Sequence, residues 1–216
     1  LEKHAGVVVG ISGGIDSLVL LFLLLQYNEM YTQKWDIKAV HIDPGFPGWN
    51  PAPMEKYLKA HEINPITRRT HIYQRIRKVR NRCFVCARER RTRLIETAHE
   101  LGISYIALAH HQEDAAETLL LNMFFSGRTA TCLPKQTVFH GRSVFIRPMY
   151  YLNKGTILEI ANALELKSID NSCPFYKDSR RERVREVLET LKKRNPDVYS
   201  NIFHSMFNIK NKYIPS

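Results

Sequence analysis

The sequence predicts an α/β protein: a doubly wound, mainly parallel sheet with a C-terminal helical extension. Three observations predict it. Short runs rich in Val and Ile alternate with helical stripes, the pattern of repeated βαβ units. Polar residues suited to chemistry fall just after the strands, where open parallel sheets bind ligands. Beyond about residue 170 the strands stop and two amphipathic stripes follow, so an α/β domain over 1–170 and a helical extension over 171–216 are expected.

Val7–Ile11 is unbroken and apolar, a buried strand, and Ser17–Asn28 is the helix after it. Within that helix Leu18–Leu25 is apolar for eight residues, far short of the roughly 20 that cross a bilayer. Ile37–Ile42 reads as the second strand, followed by a loop with Pro44, Gly45, Pro47, Gly48, Pro51 and Pro53 and a short helix at Met54–His61. Ile66–Ile72 reads as a third strand, Phe84–Leu101 as a long helix ended by Gly102, and Tyr105–Ala109 as a strand. Gln112–Phe125 is helical, Val144–Arg147 is a strand stopped by Pro148, and Asn153–Leu164 is helical. Val184, Val187, Leu188 and Leu191 keep helical spacing, as do Tyr199, Ile202, Phe203 and Met206, with Asn195-Pro196-Asp197 between them.

The chain has 216 residues, 44% of them hydrophobic, which excludes a disordered chain. No lysine-led signal segment opens it, and four unevenly placed cysteines do not make a secreted disulfide scaffold, so a cytoplasmic protein without a membrane partner is expected. The net charge is +11, and it is local. Arg68–Arg93 holds eleven basic residues against Glu89 alone, and Lys177–Arg194 holds eight against four acids, while the remainder is slightly acidic. Like charges so concentrated repel one another unless a polyanion neutralises them, which points to nucleic acid. Arg75, Arg77, Lys78, Arg80, Arg82, Arg90 and Arg91 are the candidate RNA contacts. Tyr73 and Phe84 beside them serve either to stack on bases or to fill the core.

Ser12-Gly13-Gly14-Ile15-Asp16-Ser17 joins the first strand to the first helix. Glycines there let backbone amides approach an anion, and the helix N-terminus adds about half a positive charge. The hydroxyls of Ser12 and Ser17 can donate, Ser17 can cap the helix, and Asp16 can hold Mg²⁺ against phosphate oxygens. No Gly-Lys-[Ser/Thr] follows, so this is not a Walker loop. Cys83-Phe84-Val85-Cys86 by itself fits a zinc half-site, a redox pair or cluster ligands, with Cys173 the obvious third thiol and Cys132 a small apolar residue. His110-His111-Gln112-Glu113-Asp114 either binds metal or caps the helix at Gln112, with Glu117 one turn on and Thr118 as packing. His41 and Asp43, after the second strand, either face adenine or ribose or simply end the strand.

The hexapeptide resembles the fingerprint of the PP-loop ATP pyrophosphatases, which implies cleavage of ATP between its α and β phosphates with transfer of adenylate. Cys83–Arg93, Ala109–Asn122, Asn122–Arg128, Arg147-Pro148 and Cys173 resemble successive landmarks of the tRNA 2-thiocytidine synthetase family, over roughly Val7–Phe207. That resemblance implies a [4Fe-4S] cluster on Cys83, Cys86 and Cys173, and Mg²⁺ on Asp16 and Asp114. Ser12, Gly13, Gly14, Asp16, Ser17, His41, Asp43, Ala109 and His110 are the candidate ATP contacts. Asp16, Asp114 and His111 become the candidate catalytic residues, His111 as a contact to the adenylate. The implied product is a tRNA pyrimidine whose carbonyl oxygen is replaced by sulfur, supplied as sulfide or by a cysteine desulfurase; a homodimer is left open. The sequence departs from the family in Ile15 for a lysine, Ala109 for glycine, Glu113 for aspartate and Tyr176 for a cysteine. Two other readings remain: a ligase resembling tRNA-isoleucine lysidine synthetase, with an amine nucleophile, and a non-catalytic RNA-binding protein with structural zinc.

Overall fold

The computed structural model describes residues 1–139, 141–169, 173–176, 179–210 and 212. Strands β1 (Gly6–Ile11), β2 (Asp36–Asp43), β3 (Ile66–Arg69), β4 (Tyr105–Ala107), β5 (Lys135–Val138) and β6 (Ser143–Ile146) form one sheet in the order β3-β2-β1-β4-β6-β5. Only the edge strand β5 runs antiparallel to its neighbour. Val7, Val8 and Val9 of β1 are wholly buried, because a central parallel strand is covered on both faces. Val7 and Val9 point into a core shared with α1 (Ile15–Met30), α2 (Ala52–Ala60) and α6 (Lys154–Ala163). Val8 points the other way, into a core with α3 (Ile72–Ile76) and α4 (Arg82–Glu100). The doubly wound expectation is therefore met, residue by residue, in one strand.

Two readings of the sequence need correction. Ile66–Ile72 is not one strand: β3 ends at Arg69, and Ile72 opens α3. The last ladder contact is the Thr70 amide donating to Asp43 O at 3.0 Å, after which β2 turns away and the Tyr73 amide bonds Pro44 O instead. The apolar Ile72 buries itself as a helical residue, with Ile76 one turn on. Strand β5 carries Lys135-Gln136-Thr137-Val138, too polar and exposed to show any core-facing alternation.

Helix α5 (Gln112–Ser126) follows β4, and α7 (Arg180–Lys192) and α8 (Val198–Ser205) pack against it through Ala116, Val184, Leu188, Val198 and Tyr199. Asn153 caps α6 through the Thr156 amide, and Ser179 caps α7 through the Glu182 amide. The boundary expected between 170 and 171 lies outside the described residues. None of the described helices is long and apolar enough to cross a membrane. Crossovers from β1 and β4 leave in opposite directions along the sheet, so a crevice opens beyond their carboxyl ends.

Candidate active site

The loop after β1 enters that crevice first. Gly13 has φ +88°, a left-handed conformation that favours glycine, and a Cβ there would stand 3.4 Å from Ile169 O. Ser17 does not cap α1 through its side chain, as the sequence suggested; it lies inside the helix, and its hydroxyl donates to Gly14 O at 2.7 Å. The Ser12 amide donates back to Ser17 Oγ at 3.2 Å, and the Gly14 amide donates to Ser12 Oγ at 3.2 Å. The two serines thus hold the loop open in a fixed curve. Ile169 covers it, its amide donating to Gly13 O at 2.9 Å.

The second wall is the start of α5. His111 is its N-cap, with its amide donating to Asp114 Oδ2 at 3.1 Å, so the capping role is real. The imidazole does more. Its Nδ1 lies 2.8 Å from Glu113 Oε2, and its Nε2 lies 3.7 Å from Asp16 Oδ2 and 3.4 Å from Asp114 Oδ2. Burial alone would lower its pKa, but hydrogen bonds to Asp16 and Glu113 outweigh this and push it up to about 9. His111 is consequently an imidazolium at neutral pH, only 7% exposed, among three carboxylates. Burial raises Asp16 and Glu113, yet their bonds to His111 and to Lys154 hold both below the usual carboxylate range.

Lys154 is a residue of this cluster that the sequence reading missed, and Glu113 was read there only within the His110–Asp114 stretch and as a departure from the family. The Lys154 ammonium bonds the Asp16 carboxylate, and its amide donates to Glu113 Oε1 at 2.9 Å. Asn153, which starts α6 just beyond the Arg147-Pro148 stop of β6, was the available signal: that turn also lies at the carboxyl edge of the sheet. Arg147 is buried, its Nε–H donating to His110 Nδ1 at 3.2 Å and its guanidinium also bonding Leu133 O. Burial drives His110 down to about 4, so its ring is neutral. Ala109 packs on the core beneath the loop. His41 is 1% exposed with Nδ1–H bonded to Ile11 O at 2.8 Å, and its ring stands 5.5 Å from that of Trp49. Burial lowers its pKa, and its Nε2 has no partner among the described residues. One oxygen of Asp43 accepts the Gly45 amide at 2.8 Å and so shapes the turn after β2. Glu117 is given over to structure, accepting Arg185 Nε at 2.8 Å, while Thr118 donates to Asp114 O and accepts from Arg181.

Cys83 and Cys86 lie three residues apart on the first turns of α4, hence on one face. Both Cys86 and Cys173 pack on the same side of the sheet, with Trp49, Tyr73 and Phe175. All are free thiols. Burial pushes Cys83 and Cys86 up, and the nearby charge of Cys173 adds to both shifts. Among the described residues no three His, Cys, Asp or Glu side chains converge as ligands of a single ion would. A polynuclear iron–sulfur cluster spreads its thiolates more widely, and three cysteines near enough to feel one another's charge are its donor chemistry. Two carboxylates facing one histidine likewise suit Mg²⁺, which keeps several waters and needs few protein ligands. Cys132 lies apart from the three, packed near Ala115, Tyr150 and Phe203.

The basic stretch divides. Arg77, Lys78 and Arg80 are exposed, as is Arg91, whereas Arg75 pairs with Glu89 at 3.0 Å. Arg90 is half-buried; its charge opposes the rise that burial gives Cys86 and adds to the lowering that burial gives His41. Arg82 lies over Phe175 rather than facing outward. Phe84 is exposed, and Tyr73 stacks on Phe175.

Comparison with known proteins follows this geometry. A family model described as a PP-loop domain matches residues 2–191. The chain is 32% identical to a tRNA-cytidine(32) 2-sulfurtransferase of Syntrophotalea carbinolica, over 99% of this chain and 85% of the relative. It is 35% identical to a protein of the same name from Coxiella burnetii, over 94% and 82%. Its backbone superposes on the U34-tRNA thiolase NcsA of Methanococcus maripaludis, solved with its [4Fe-4S] cluster, with a TM-score of 0.78 at 24% identity, covering 100% of this chain and 75% of that one. The phosphate loop, the thiols and these likenesses agree, and the chain belongs to the PP-loop family that includes the tRNA-cytidine(32) 2-sulfurtransferases.

Proposed function

We propose that this protein is an ATP-dependent tRNA thiolation enzyme. It adenylates a pyrimidine carbonyl and exchanges that oxygen for sulfur; the relatives' names point to the 2-oxygen of cytidine at tRNA position 32. One observation carries the reading. Ile169 is bonded to Gly13 of the phosphate loop, and Cys173 follows four residues later. Four residues span at most about 14 Å even when extended. The third thiol is therefore tethered close to the site where adenylate forms. Neither an amine-using ligase nor a structural zinc protein requires that tether.

The chemistry has two displacements. The carbonyl oxygen attacks the α-phosphorus, and the bond to the β-phosphate breaks with its electron pair leaving on pyrophosphate. A sulfur nucleophile then adds to the ring carbon, and the carbon–oxygen bond breaks to release AMP, which carries away the original oxygen. The amides of Ser12, Gly14 and Ser17 are engaged within the loop, so the remaining amides at the N-terminus of α1 receive phosphate oxygens. The His111 imidazolium and the Lys154 ammonium set two positive charges where charge gathers on the leaving pyrophosphate. Asp16 and Asp114 would hold Mg²⁺, which neutralises phosphate charge. Cys83, Cys86 and Cys173 would hold a [4Fe-4S] cluster, which supplies a binding place for sulfide delivered free or by a desulfurase. Arg77, Lys78 and Arg80 present the exposed charge that receives tRNA phosphates.

The test is anaerobic reconstitution with iron and sulfide, followed by reaction with ATP, Mg²⁺ and unmodified tRNA and mass analysis of the nucleosides. A thiolated pyrimidine formed by the wild type and abolished in Cys83→Ala is expected. Thiolation retained in Cys83→Ala would overturn the role of the thiols. Pyrophosphate release without any thiolated product would overturn the sulfur-transfer reading itself.

A further inference from the structure

Arg82 belongs to the most basic stretch of the chain, yet its guanidinium carbon stands 4.7 Å above the centre of the Phe175 ring. Its Nε is shielded from solvent and has no hydrogen-bond partner among the described residues. A guanidinium placed to bind phosphate offers its N–H edge to solvent. This one offers its face to an aromatic ring and keeps Nε dry. We propose that Arg82 is a positioning residue for the thiols: it holds the segment bearing Cys173 against the helix bearing Cys83 and Cys86 before any iron is bound. The proposal rests on the reading that the three thiols act together.

The neighbours on each side are the reason. Arg82 is the residue before Cys83, at the first turn of α4, and Phe175 is two residues after Cys173. Phe175 also stacks on Tyr73, with ring centres 6.0 Å apart and planes at 20°, and meets the Phe46 ring edge-on at 6.5 Å. Phe46 and Tyr73 are themselves edge-to-face at 6.0 Å. The Phe175 ring thus enters a slot whose walls come from the loop after β2, from α3 and from α4. Residues 173–176 belong to no helix or strand; what they have is a turn, the Tyr176 amide donating to Cys173 O at 3.3 Å. A thiol on such a segment is placed by its neighbours' packing, and Phe175 is the large apolar side chain nearest to it in sequence. Ordering the third ligand in advance removes that entropy cost from cluster binding.

The experiment uses the full chain, freed of metal and kept anaerobic, in a Cys132→Ala background so that only three thiols react. The short cross-linker bismaleimidoethane is added, and peptides joining Cys173 to Cys83 or Cys86 are quantified by mass spectrometry against the Cys83–Cys86 product. Arg82→Ala and Phe175→Leu should each lower the Cys173 product roughly five- to thirty-fold, the range of a partly desolvated cation–π contact. The double variant should fall no further than either single one, and Arg82→Lys should recover part of the loss. Iron retained per chain after reconstitution should follow the same order. Should Arg82→Ala fail to fold, judged by its circular dichroism, Phe175→Leu and Arg82→Lys carry the comparison. Wild-type cross-linking in Arg82→Ala and Phe175→Leu overturns the proposal, and tRNA affinity lost in Arg82→Ala with cross-linking unchanged returns Arg82 to the RNA surface. A wild type that binds no iron would sink the cluster reading, while the cross-linking result would still decide the clamp.

Discussion

Replacing His111 by Gln should remove a pH-dependent part of the folding free energy whose size follows from the site. The imidazole sits 2.8 Å from Glu113, 3.4 Å from Asp114 and 3.7 Å from Asp16, which raises its pKa from the ordinary 6.5 to about 9. A folded-state pKa above the unfolded one means that the folded protein binds the proton more tightly. The gain is fully present below pH 6.5 and is lost as pH rises towards 9. Two and a half pH units at about 1.4 kcal/mol each amount to roughly 3.5 kcal/mol, of which about 3 falls between pH 6 and 9.5, counted once for the whole group because the lowered Asp16 and Glu113 report the same contacts. Urea unfolding at pH 6 and pH 9.5, on wild type and His111→Gln, isolates the term as a difference of differences. The wild type should lose about 3 kcal/mol more across that interval than the variant. Equal losses would refute the imidazolium, and with it the assigned role of His111 in receiving charge on pyrophosphate. ATP-dependent pyrophosphate release should fall over the same upper range in the wild type.

Three further outcomes follow from single contacts. Lys154→Ala should raise the ATP concentration needed for half-maximal pyrophosphate release about tenfold, while stability changes by no more than ~1 kcal/mol because the ion pair with Asp16 is part-exposed. Gly13→Ala should cost about 1–2 kcal/mol in denaturant unfolding, since φ is +88° and Ile169 O stands 3.4 Å from the new methyl, and ATP affinity should fall with it. Replacing Arg77, Lys78 and Arg80 together by Ala should lower the slope of log tRNA affinity against log salt by roughly 3, with ATP affinity unchanged.

What the sequence made legible was local or periodic. The hexapeptide Ser12–Ser17 is read directly because its function lies in backbone curvature that two glycines and two serines impose within six positions. Helix α7 follows from the spacing of Val184, Val187, Leu188 and Leu191, and α1 from an apolar run too uniform to have a polar face. Lys154 was hidden for the opposite reason: it meets Asp16 across 138 positions, and only the tertiary packing of α6 on α1 brings them together. Glu113 looked like a substitution in a motif, and only the packed structure shows its carboxylate shared between His111 and Lys154. Composition counts the Arg82 charge without showing that its guanidinium lies over the Phe175 ring. Strand β5 lay outside the reach of periodicity, being a polar edge with nothing to bury.

The third thiol is tied to the nucleotide site from both directions along the chain. On one side Ile169 bonds the phosphate loop at Gly13. On the other, the Tyr176 hydroxyl accepts from Arg185 at 2.6 Å, and Arg185 also grips the buried Glu117 of α5 through Nε at 2.8 Å and a second nitrogen at 3.2 Å. Arg181, one turn earlier in α7, bonds Asp114 Oδ1 at 3.2 Å. Bidentate arginine–carboxylate contacts of this kind fix orientation as well as distance. The carboxylate proposed to hold Mg²⁺ is thus the one that anchors Arg181, and the same helix reaches Tyr176 through Arg185. On the proposed function these contacts would link the place of adenylate formation to the segment bearing Cys173. Disconnecting them by Arg185→Ala should leave pyrophosphate release nearly intact while the yield of thiolated tRNA per pyrophosphate falls. A fall in both by the same factor would show that α7 serves only to stabilise the fold.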